Sequence, residues 1–174
     1  MGDPDARPDP GQEESLDPQE TPKERLDREL IELLNEVRVA LPGAQVLFAF
    51  LLILPFQEAF HQLGELQKDV YAGALLSSAA AIALLIAPSS YHRINFRRPM
   101  KEGMIRWANG MTVAAMGFII VGITLSVALV LDVALGGPVA IMLSVLTGAW
   151  FAWFWFGVPL LRRQGFEQQS GPPD

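Results

Sequence analysis

The sequence predicts an all-α integral membrane protein, a four-helix bundle preceded by a cytoplasmic amphipathic helix. Three observations predict it. The chain is 51% hydrophobic and only 18% charged, and twelve of its nineteen acids fall within residues 1–36. The remainder holds four apolar stretches long enough to cross a bilayer, without the alternating or amphipathic pattern that a soluble core of this size needs. Lys and Arg gather in alternate connecting segments, the signature of a fixed membrane orientation.

Residues 1–20 carry four prolines and no apolar pattern. They cannot bury enough surface to offset the entropy of ordering, which predicts a disordered acidic tail. The acidic, proline-rich opening is also unlike a cleavable signal peptide, so the first apolar run is expected to act as its own signal-anchor. An amphipathic helix is expected over 21–40. Thr21 and Glu24 have capping-box spacing, and Pro22 takes the first helical position, where its missing N–H costs nothing. Leu26, Leu30, Leu33 and Val37 recur at helical spacing and form one apolar stripe. From Lys23 to Arg38 there are four positive and five negative residues. A helix lying on anionic lipid would be rich in Lys and Arg, so packing against another helix is the better reading.

The membrane domain is expected over 41–161, with spans at about 41–60, 70–88, 109–131 and 138–161, followed by a cytoplasmic tail at 162–174. Each span at ~1.5 Å per residue matches a hydrocarbon core of roughly 30 Å. Pro42 and Gly43 predict a kink where the amphipathic helix enters the first span.

Orientation follows from the basic residues. With the N-terminus on one side, twelve of the thirteen Lys and Arg fall on that side and only Lys68 on the other. Five of the twelve lie in the stretch Ser89–Arg106 between spans two and three. The rule counts cations and largely ignores acids, so both termini and the 89–108 loop are expected to be cytoplasmic.

No acidic or basic side chain lies mid-span, which argues against proton-coupled transporters and ion pumps. Small residues form strips at helix-contact spacing: Gly73, Ser77 and Ala81; Gly122 and Ser126; Ser144, Gly148 and Ala152. Such strips suit a compact bundle or a homo-oligomer equally. The stretch "AWFAWFWFGVPLLRR" closes span four as an aromatic belt with a basic stop, rather than a stacking platform for nucleic acid. There is no cysteine, and the two histidines, His61 and His92, lie roughly thirty residues apart. No P-loop, H-E-x-x-H, G-x-S-x-G or dinucleotide fingerprint is present. Neither a cofactor nor a metal is expected, and the chain reads as non-enzymatic.

The candidate site is a polar cluster at the inner surface. Asn35, Arg38 and Gln45 lie along one side of the first long helix, and span two returns His92 and Arg93 to comparable depth. Guanidinium groups match phosphate bidentately, so the cluster could hold a lipid headgroup or another anion. The ordinary alternative is an Arg38 side chain snorkelling to the headgroups beside an interhelical hydrogen bond from Gln45.

The segments "ETPKERLDREL", "LLNEVRVALPGAQVLFAFLLILPFQEAF" and "LLIAPSSYHRINFRRPMK" resemble the hallmark segments of a bacterial family known as domain of unknown function 6328. The matching positions are Glu36, Arg38, Gly43, Gln45, Pro55, Phe56, His92, Arg93, Phe96 and Arg97. The resemblance implies a small four-span protein of the bacterial plasma membrane and transfers no chemistry. The expected partners are the lipid bilayer and either a second copy or another membrane protein. Function is expected to lie in that association. The competing reading is a subunit of an oligomeric channel or small-solute transporter, with Gln45, Thr112, Ser126 and Thr147 sharing a lumen.

Overall fold

The computed structural model describes residues 21–94 and 102–161. The tails expected at 1–20 and 162–174, and residues 95–101 of the basic loop, lie outside the described residues. Within them the chain is all-α, with no strand among the described residues. Four helices run up and down: α1 (Pro22–Ile53), α2 (Glu65–Ile94), α3 (Glu102–Ala134) and α4 (Gly137–Ala152), the last extended by a π turn, Trp153–Gly157. All four are long and apolar enough to cross a membrane.

The capping box at the start of α1 is formed. The Thr21 hydroxyl accepts the Glu24 N–H at 3.4 Å, and the Glu24 carboxylate accepts the Thr21 N–H at 2.8 Å. Exposed pairs follow, Arg25–Glu29 at 2.9 Å and Arg28–Glu32 at 3.6 Å. Each contributes at most a few tenths of a kcal/mol, about the value of such helix pairs. Leu33, Val37, Ala44 and Leu51 are buried, so the apolar stripe of the amphipathic segment continues into the first span. Helix continues through Pro42 and Gly43, making the two segments one element of 32 residues. The Pro42 ring removes the N–H that the Arg38 carbonyl would have accepted, yet this single loss does not interrupt the helix.

The far end of α1 is set by Pro55. Lacking an N–H, it cannot bond the carbonyl of Leu51 four residues back. That carbonyl instead accepts the Leu54 N–H and the Tyr71 hydroxyl, the latter at 3.0 Å. The α-helix therefore stops at Ile53, short of the residue 60 expected from hydropathy, and two 3₁₀ turns, Leu54–Phe56 and Glu58–Gln62, lead to α2. Phe60 closes this end by packing edge-on against the Tyr71 ring at 4.9 Å.

The most extensive packing is between α2 and α3, and small residues make it possible. A Cβ on Gly122 would stand 2.9 Å from the Ser78 hydroxyl, and one on Gly73 would stand 3.0 Å from a Leu125 methyl. The α3–α4 contact is as close, since a Cβ on Gly148 would lie 2.7 Å from the Thr124 hydroxyl. The small-residue strips are thus spent inside the chain, with Ala152 left exposed. Gly136 and Gly137, at φ of 64° and 67°, make the tight turn from α3 to α4. Helix α3 contacts all three others, whereas α1 leans mainly on α2 and α4 leans on α3. Between α1 and α4 the bundle is left open.

Candidate functional site

That opening is an apolar groove of about 670 Å³. Glu36, Val39 and Gly43 of α1 form one wall, Ile119 and Ile123 of α3 the floor, and Trp155 the other wall. Two local features shape it. Gly43 has nothing within 4 Å of where a Cβ would stand, so the α1 wall is cut away there. Trp155 lies in the π turn, where the Val158 N–H bonds the Trp153 carbonyl, and its ring packs edge-on to Phe151 at 5.6 Å. Insertions of this kind re-aim side chains relative to a regular helix.

At its charged end the groove meets a second cavity of about 250 Å³, which shares Glu36. Here the lining is mixed: Glu29, Glu32 and Glu36 from α1, Arg106 and Asn109 from α3, and Leu33 beneath. Glu29 and Glu32 are paired with Arg25 and Arg28. The side chains of Glu36, Arg106 and Asn109 make no hydrogen bond or ion pair among the described residues. Next to Arg106, Trp107 packs on Tyr91 of α2 with ring centroids 5.1 Å apart. The mouth therefore sits in the aromatic layer at the end of the bundle that carries most of the described cations.

The sequence-derived cluster is placed differently. Asn35, Arg38 and Gln45 are exposed, and Arg93 is exposed at the end of α2. Leu33, Val37 and Ala44 define the core-facing side of α1, and Asn35, Arg38 and Gln45 are turned away from it. No hydrogen bond or ion pair links these four among the described residues, and none of them lines the two cavities above. The side chain of His92 lies outside what is described.

Sequence reasoning passed over Glu36, Arg106 and Asn109 as site residues. A signal was available: Glu29, Glu32 and Glu36, at spacings of three and four, line one flank of the apolar stripe of α1. Spacing alone does not say that this flank meets α3.

The hydroxyls proposed for a lumen are satisfied locally. Thr112 donates to the Ala108 carbonyl at 3.2 Å, Ser126 to Gly122 at 2.7 Å and Thr147 to Leu143 at 2.9 Å. Each bonds the turn before it on its own helix, which leaves an apolar surface rather than a polar path. No buried side-chain N or O lacks a partner among the described residues.

No curated protein matches the chain, and no solved structure matches it. A family match does exist, extending from the capping box of α1 to the end of α4, residues 19–159, and the chain belongs to that family of unknown function, DUF6328.

Proposed function

We propose that this chain is a multi-pass protein of the bacterial plasma membrane, with both termini and the 89–108 loop cytoplasmic. It acts through association with a membrane component rather than by catalysis. The association reading is carried by one observation: the bundle is open between α1 and α4, and the opening ends at Glu36, Arg106 and Asn109, whose side chains make no hydrogen bond or ion pair among the described residues. A self-contained bundle would close that seam. The four apolar helices support the membrane reading, and the bias of twelve cations against one supports the orientation. The channel reading has less support, because Thr112, Ser126 and Thr147 spend their hydroxyls on their own helices.

Single-cysteine labelling tests the orientation without background, since the sequence has no cysteine. In intact cells Lys68→Cys is expected to react with an impermeant maleimide, and Ser89→Cys only after permeabilisation. The reverse pattern would overturn the topology. Mass measurement in mild detergent tests association, and a bare monomer carrying neither lipid nor protein would overturn that part.

A further inference from the structure

We propose that the α1–α4 groove and the crevice joined to it at Glu36 form a binding site for one zwitterionic aminophospholipid of the phosphatidylethanolamine type. One of its two acyl chains would lie in the groove and its headgroup in the crevice. This rests on the membrane reading above and deepens it by naming the chemistry of the associated component.

The groove supplies the apolar half. At about 670 Å³ it falls within the size range of sites for small molecules. Apart from Glu36 at its charged end and the Trp155 indole, its lining is aliphatic, with Val39 and Gly43 facing Ile119 and Ile123, which suits an acyl chain. It is open along its side, as a chain entering from a bilayer requires.

The crevice supplies the polar half, and its charges are of both signs. Arg106 and Asn109 stand on the α3 side, a guanidinium and an amide able to donate to a phosphodiester. Glu36 stands on the α1 side with no partner among the described residues, an acceptor for a primary ammonium. Glu29 and Glu32 extend the negative side, each shared with an arginine of its own helix. A purely anionic headgroup would meet three carboxylates, two of them already paired with Arg25 and Arg28, and a single guanidinium on the α3 side. An ammonium and a phosphate joined by a short link place one charge opposite each wall. Depth agrees, because Trp107 and Tyr91 beside the crevice are residues that settle at the headgroup layer.

A second copy is a poorer occupant. Gly73, Gly122 and Gly148, whose strips would let another helix approach closely, are already used between α2, α3 and α4. Arg38 and Arg93, where an anion cluster is expected from the sequence, line neither cavity.

The test is native mass spectrometry of the full chain in mild detergent with added phosphatidylethanolamine, phosphatidylcholine or phosphatidylglycerol of matched acyl chains. Phosphatidylethanolamine is expected to be retained best. Phosphatidylcholine should follow, since its quaternary ammonium cannot donate, and phosphatidylglycerol should be weakest. Glu36→Gln and Arg106→Gln should each lower phosphatidylethanolamine retention about tenfold, the loss expected for a hydrogen bond to a charged group. Arg38→Gln should leave it unchanged. Gly43→Leu fills open space in the groove and favours helix, so it should expel the lipid while the thermal transition holds or rises. Equal retention of phosphatidylglycerol, indifference to Glu36→Gln, or a lipid-free dimer would each overturn the site. Release of the protein from membranes by an alkaline wash would instead overturn the membrane reading itself.

Discussion

The Tyr71 hydroxyl donates to the Leu51 carbonyl at 3.0 Å, joining α2 to the last turn of α1. Pro55 leaves that acceptor without its usual helical partner. Tyr71→Phe should therefore destabilise the bundle by about 1 kcal/mol, the net value of one intramolecular hydrogen bond. Pro55→Ala restores an N–H at the right position, so in that background the same change should cost less. A double-mutant cycle read by thermal unfolding in detergent checks this. Equal costs in both backgrounds would show that Tyr71 acts only through its contact with Phe60.

Gln67, one turn before Tyr71 on α2, bridges three segments at the same end of the bundle. Its side-chain carbonyl accepts the Gly64 N–H at 2.9 Å, and its amide donates to Asp132 of α3 at 2.7 Å. Gln67→Glu keeps the first bond and sets a carboxylate against a carboxylate in the second. It should cost more stability than Gln67→Ala, for which about 1 kcal/mol is expected. In an Asp132→Asn background the difference should narrow. A gap unchanged in that background would remove Asp132 from the explanation.

At the α3–α4 contact, Gly148→Leu and Val145→Leu separate packing from bulk. Gly148 faces the Thr124 hydroxyl at 2.7 Å from any Cβ, whereas Val145 is 62% exposed. Overpacking typically costs about 1–3 kcal/mol, and only the glycine variant should show it. The readout is the thermal midpoint together with the oligomer distribution. Two neutral variants would mean that α4 does not sit on α3 as described.

The α3–α4 turn depends on backbone freedom. Gly136 has φ 64° and ψ 170°, a region that side-chain-bearing residues scarcely adopt. Gly136→Ala should cost about 1–3 kcal/mol although the residue touches little. Gly110→Ala, on α3 with nothing within 4 Å of its Cβ, should be neutral or stabilising by contrast. Matching midpoints for both variants would contradict the strained turn.

The four helices were legible because length, hydropathy and capping are local properties. Thr21, Pro22 and Glu24 announce the start of α1 whatever surrounds them, and each apolar run announces a span by its own length. The helix ends were less legible. The carbonyl of Leu51 loses its partner to Pro55 and gains one from Tyr71, twenty residues away, so Ile53 ends α1 for a reason that no window of hydropathy contains.

By itself the sequence determined four apolar helices, their alternation, their charge asymmetry and which residues share a helical face. Only the tertiary structure decided what each face meets. Arg38 and Glu36 are two residues apart, yet Arg38 turns away from the core while Glu36 borders α3 and the groove. Gly122 and Gly148 could have served a second copy, but they lie against Ser78 and Thr124 of the same chain. The physical reason is the solvent. In water an apolar stripe points inward, whereas beside lipid tails as apolar as leucine it has no preferred direction. Helix rotation then rests on close packing and a few hydrogen bonds between residues distant in sequence, and those appear only once the helices are placed together.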